Sequence, residues 1–169
     1  SAAYDGDMLA NIKAGQFTVV GRPLQVSEQG DLLTEACVLD GAIDNFSVLA
    51  VLRGSQADIV GVGVAGRGGK FLVRAVGPSL GQFGIPTSAF CRDPILEIYD
   101  SQGRLVSRPN AGASGTAVNS AKEAGAFSLV SGSADVATVV ELPLGGTTLH
   151  IRSSSGQGGL VLVELYALD

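Results

Sequence analysis

The chain has 169 residues, 46% of them hydrophobic and only 16% charged, with 24 Gly, 6 Pro, 2 Cys, 1 His and no Trp. That length fits one domain with a real core, or a domain plus an arm. Charge well below the roughly one quarter usual in globular chains leaves more apolar and neutral surface than one small domain hides. The excess of 16 Asp and Glu over 11 Lys and Arg, a net charge of -5, argues against a phosphate-tracking nucleic-acid binder or an anionic membrane surface as partner. The longest uncharged stretch, Ala75 to Cys91, is broken by Gly77, Pro78, Gly81, Gly84 and Pro86, so membrane insertion by a helix is not expected.

In chain order, Ser1-Ala2-Ala3 without a Met reads as the residue of cleavage at a small-residue signal site, which predicts an exported chain, extracellular or at a cell surface after signal-peptide removal. Residues 1–44 form an arm. In it Asp7 is expected to cap a short helical turn through Met8, Leu9 and Ile12 that Gly15 ends, and Gln16 to Val20 and Leu32 to Leu39 read as strands. These runs either complete the sandwich of their own subunit, or one of them adds to a sheet edge of another. Residues 45–169 form the main module. Its expected strands are Phe46 to Arg53, Ala57 to Val64, Lys70 to Val76, Ile95 to Tyr99, Arg104 to Ser107, Val136 to Leu142, Thr148 to Arg152 and Leu160 to Tyr166.

Gly66-Arg67-Gly68-Gly69 and Asp100-Ser101-Gln102-Gly103 supply turn residues for two hairpins. One helix is expected from Ala117 to Ala124, capped by Thr116 and ended by Gly125. It is too short for a repeated βαβ plan, and the fold class is all-β: a two-layer antiparallel sandwich, jelly-roll or Ig-like, with an N-terminal strand-forming arm. The expected core is Leu72 or the alternate set Phe71, Val73 and Ala75, with Leu96, Ile98, Val139, Leu149, Ile151, Leu160, Leu162 and Val163.

The run Lys70 to Leu80, KFLVRAVGPSL, is followed by Gly84-Ile85-Pro86, Asp93-Pro94, Leu96-Glu97-Ile98-Tyr99-Asp100 and a closing Gly159 to Tyr166. From about Asn45 to Asp169 the chain resembles modules of large secreted bacterial proteins that carry a run like "RAVGPSL", then "DPxLELYDxxG", and close on "GVALVEVYD". The resemblance implies an extracellular β-sandwich of no established activity, often repeated or C-terminal. Those modules usually place an apolar residue two before the Asp-Pro pair, where this chain has Cys91.

Several patterns imitate chemistry. Gly61-Val62-Gly63-Val64-Ala65-Gly66 matches GxGxxG, yet a glycine turn and a new strand follow it instead of a helix, and no acid lies about twenty positions on to hold a ribose. Gly69-Lys70 lacks the Ser or Thr of a phosphate loop. Gly77-Pro78-Ser79-Leu80-Gly81 matches a nucleophile elbow, with Asp93, Asp100 or Asp135 and then His150 in triad order, but Gly81, Gly84 and Pro86 break the helix an elbow requires. Asp93, Glu97, Asp100, Glu141 and Glu164 are read as solvated or turn-capping acids before a glycosidase pair. Two acids in Asp5-Gly6-Asp7 fall short of a calcium loop, and one His with two Cys falls short of a zinc site.

The resulting expectation is a non-catalytic extracellular structural subunit that self-associates as an oligomer or polymer, by strand addition of the arm, with no cofactor and no metal. The alternatives are a carbohydrate-binding or adhesive module meeting a surface glycan through Tyr4, Tyr99 or Phe residues, and a Ser79 hydrolase. Cys37 and Cys91, an even pair in an exported chain, are expected to form a disulfide within one subunit or between two.

Overall fold

The computed structural model describes residues 45–65, 69–143 and 145–168, together with strands at 9–13, 16–20, 25–26 and 32–33. The described residues are mostly strand with little helix, and the long strands form two layers. Sheet 1 has the order β2 (Gln16–Val20), β1 (Leu9–Lys13), β6 (Asp58–Ala65), β12 (Gly145–Ser153), β8 (Pro94–Tyr99), β9 (Leu105–Ser107). Sheet 2 has the order β10 (Gly112–Ala113), β11 (Val136–Leu142), β7 (Gly69–Val76), β13 (Gly159–Leu168), β5 (Asn45–Leu52). The short strands β3 (Gln25–Val26) and β4 (Leu32–Leu33) pair with each other. Pairing is antiparallel except for β1 with β6 and β10 with β11.

Period-two alternation places one face of each strand between the layers. Phe71, Val73 and Ala75 of β7 meet Val161, Val163 and Leu165 of β13, with Leu96 and Ile98 of β8 and Leu149 and Ile151 of β12 opposite. The two readings of β7 are both realised, because sheet 2 is covered on its outer face as well. Leu72 packs under α1 (Gly115–Glu123) with Ala117, Ala137 and Tyr166. Val76 packs with Leu80 and Phe90 under the 3-10 turn Pro78–Phe83. Val139, Leu160 and Leu162 belong to these outer clusters and not to the inter-sheet core: Val163 faces inward, so residues one and three before it on the same strand cannot.

Other expectations are corrected. Leu9–Lys13 is a strand, not a capped helical turn; it pairs with β2 on one side and runs parallel to β6 on the other, and two ladders of hydrogen bonds outweigh a weak local helix signal. Gly66 to Gly69 does not close a hairpin, since β6 lies in sheet 1 and β7 in sheet 2. The other hairpin holds: β8 and β9 are antiparallel neighbours, with Gly103 at φ +73. The cap of α1 is Ser114, whose hydroxyl accepts from the Ala117 N–H, not Thr116. Of the run Leu32 to Leu39 only Leu32–Leu33 is described as strand.

Candidate interaction surface

The polar residues that imitated an active site are parts of the scaffold. Ser79 and Asp135 are completely buried. Asp135 sits just before β11 and accepts from the Gly77 N–H at 2.8 Å, from the Ser79 N–H at 3.2 Å, and from the hydroxyls of Ser79 and Ser133. It thereby caps the start of the 3-10 turn, where backbone N–H groups have no partners of their own. The Ser79 hydroxyl also accepts from the Val130 N–H at 2.7 Å, tying the turn to the segment before Asp135. His150 is elsewhere, on the outer face of sheet 1, with its ring 4.6 Å from that of Tyr99. Ser79 thus meets Asp135 but not His150, and the triad order in the sequence has no counterpart in space.

A second buried group joins the opening and closing runs of the resemblance. Arg74 of β7 and Glu164 of β13 are register partners. The Arg74 Nε lies 3.0 Å from the Glu164 Oε2, the Nη1 donates to the Phe127 carbonyl at 2.8 Å, and the Phe127 ring lies over the guanidinium at 4.4 Å. Tyr166 donates to the Glu164 Oε1 at 2.8 Å; burial, and then the Glu164 carboxylate, push the phenol up to about 12. The sequence reading missed Arg74 altogether. Its signal was there: FLVRAV and LVLVELY each carry one charge inside an apolar run, and a buried charge demands a partner of opposite sign. Above Arg74 a cavity of about 570 Å³ opens between α1 and residues 125–133, lined largely by Ala, Gly and Ser.

The outer face of sheet 1 is polar. Glu97 faces His150 across the β8–β12 ladder and is held by Arg108, by Arg152 at 3.6 Å and by the Tyr99 hydroxyl at 3.2 Å. Burial raises the Glu97 carboxyl, but the two arginines and Tyr99 outweigh it and hold it below the usual range. At the sheet margin Asp93 accepts from the Ser153 hydroxyl and the Ser155 N–H, both at 2.7 Å, and these bonds outweigh burial to lower its carboxyl. Asp100 accepts from the N–H groups of Gln102 and Arg104 as a turn acid. The carboxylates are therefore dispersed over two layers, each with its own partners. Among the described residues no group of three or more His, Cys, Asp or Glu is placed to hold a metal ion, and no helix is long and apolar enough to cross a membrane. Cys91 is fully buried in the inter-sheet core; Cys37, its expected disulfide partner, lies outside the described residues, as do Tyr4, Asp5 and Asp7.

Exposed large hydrophobics stand at Phe83, Leu105, Val118 and Val130, and a further pair lies on β5, the edge strand of sheet 2 among the described residues. Leu49 and Val51 are 53% and 55% exposed on its outer face, opposite Leu162 and Leu160 of β13 in the ladder. No charged residue interrupts β5 from Asn45 to Leu52. Edge strands are ordinarily blunted by charge, Pro or a bulge, and the described residues of β5 carry none of these devices.

No family model matches the chain, and no curated protein matches it. Among solved structures it is similar to the pre-peptidase C-terminal domain of a collagenase from Bacillus anthracis, at 11% identity and a TM-score of 0.43, over 73% of this chain and 89% of that one.

Proposed function

We propose that the chain is a non-catalytic, extracellular structural subunit that self-associates at a cell surface or in a fibre. The observation that carries this reading is the uncharged, apolar margin of β5, where Leu49 and Val51 stand exposed on an edge strand. The low charge of the whole chain supports it, as does the structural use of Ser79, Asp135, Arg74 and Glu164. The extracellular setting rests on the resemblance. Sedimentation and light scattering across a wide concentration range, with negative-stain microscopy, test the reading: oligomers or filaments are expected, and a strictly monodisperse monomer at high concentration overturns it. Esterase activity abolished by Ser79→Ala would overturn the non-catalytic part.

A second reading has one observation in its favour. The Tyr99–His150 ring pair stands on an open sheet face beside Glu97, Arg108 and Arg152, an arrangement that offers a stacking ring and polar partners to a sugar. Glycan-array binding lost in Tyr99→Ala would establish it; no glycan retained at millimolar concentrations would remove it.

A further inference from the structure

We infer that the cavity between α1 and residues 125–133 is a binding site for a small carboxylic acid with an apolar body, whose carboxylate is taken by Arg74. This site does not depend on the self-association proposed above. The cavity measures about 570 Å³, within the range of small-molecule sites. Three of the exposed large hydrophobics gather around it. Val118 and Val130 line it, and Phe83 packs edge-on against the lining Phe127, with ring centroids 5.0 Å apart.

The charge of the lining is one-sided: Arg74 and Lys122 belong to it, and no Asp or Glu does. Arg74 is fully buried, yet its hydrogen bonding is incomplete. A guanidinium carries five N–H donors in one plane. The Nε faces Glu164 at 3.0 Å and the Nη1 donates to the Phe127 carbonyl at 2.8 Å, whereas the Nη2 has no hydrogen-bond partner among the described residues. A buried donor without an acceptor is costly, and native proteins seldom keep one without a use for it. The acceptor that best matches the planar edge of a guanidinium is a carboxylate.

The walls define the rest of the occupant. Glu164 already balances the Arg74 charge, so the Nη2 offers a directed hydrogen bond, and the exposed Lys122 supplies the unbalanced positive charge. Around them the lining is largely Ala, Gly, Val and Leu. A phosphate or sulfate, polar on every side, would leave oxygens against these apolar groups, whereas an acid with an apolar body matches both parts. The Phe127 ring lies over the guanidinium at 4.4 Å and is itself only partly buried, resting on a Phe83 that is 61% exposed. A side-chain rotation of this kind is common on binding; it opens Arg74 to the cavity and leaves the ring as an apolar wall beside the occupant.

Titration of the isotope-labelled full chain with phenylacetate and with phenylacetamide, followed by NMR, tests the inference. Phenylacetate should produce saturable shifts in α1 and residues 125–133 and move the Arg74 side-chain N–H signal, and the neutral amide should bind at least about tenfold more weakly. Lys122→Gln, a change at an exposed position, should weaken phenylacetate binding by no more than about fivefold, so that the preference for the acid survives. Equal binding of acid and amide overturns carboxylate recognition. Loss of the preference in Lys122→Gln overturns Arg74 as the partner. Absence of saturable shifts up to about 50 mM, or shifts confined to other surfaces, removes the site and leaves the self-association reading untouched.

Discussion

Gly77 is a residue whose identity is dictated by one contact: a Cβ there would lie 1.9 Å from the Cys91 carbonyl oxygen. Gly77→Ala should therefore destabilise the fold by about 3 kcal/mol or more, since backbone atoms on both sides must shift; urea unfolding measures it. Its neighbour Ser79 was legible as part of a motif, but its partner was not, because fifty-six residues separate it from Asp135 and only the fold brings them together. Ser79→Ala leaves a buried Asp135 oxygen and the Val130 N–H short of a partner, and should cost about 1–3 kcal/mol. Tyr166 gives a pH signature. Its folded pKa of about 12 lies above the unfolded value of about 10. The stability it contributes is thus complete below pH 10 and is lost as pH rises towards 12. Tyr166→Phe should flatten that alkaline slope in pH-dependent unfolding, while costing about 1 kcal/mol at neutral pH by leaving the Glu164 Oε1 without its donor.

Among the elements, the helix and the strands were read with unequal success for a physical reason. Strand bounds in residues 45–168 follow from alternation and turn residues, both local properties, and β11 was read at its observed bounds. β1 was not, because Leu9, Ile12 and the flanking Gly15 suit a helical turn as well as a strand, and the choice is made by hydrogen-bonding to β2 and β6. For α1 the error is in the cap: Ser114 and Thr116 are both acceptable, and the turn leading from β10 selects Ser114. Ser114→Ala should cost about 1 kcal/mol, while Ser114→Asp should be close to neutral, and thermal unfolding of the two variants separates the effect of the cap from that of side-chain size. The uncharged character of β5 was plain in the sequence; that it is an edge strand was not.

For the molecule as a whole, the acid limb of stability follows from Asp93 and Glu97. Both carboxyls are lowered in the folded state, so the stability they supply is complete above the unfolded values of about 4 and is lost as pH falls through the folded ones. Asp93→Asn should reduce the acid dependence of the urea midpoint. The disulfide expected between Cys37 and Cys91 is tested against a buried thiol: burial is the main cause that pushes the Cys91 thiol up, so native alkylation is slow whether or not a bond exists. Alkylation after denaturation without reductant, followed by non-reducing electrophoresis, distinguishes the outcomes. A compact monomer shifted by reductant means an internal bond, worth about 4 kcal/mol by chain entropy; a ladder means bonds between subunits; two labelled thiols reject the disulfide. Because the β5 surface is apolar, self-association should vary little with ionic strength over a range that would screen ion pairs.

The sequence alone determined that this is an all-β sandwich with a short helix, and which residues turn, because periodicity, turn chemistry and capping act over a few positions. Arg74 and Glu164 stand as single charges in apolar runs, yet Glu164 was read as a solvated acid and its burial against Arg74 is a finding of the structure. The tertiary structure decided everything that depends on which strand lies beside which: the hub of Ser79 and Asp135, the separation of His150 from both, the burial of β7 on two faces, and the strand order that leaves β5 at an edge among the described residues. Those relations are set by the packing of two twisted layers and by hydrogen bonds between distant segments, and a local pattern of residues holds no record of them.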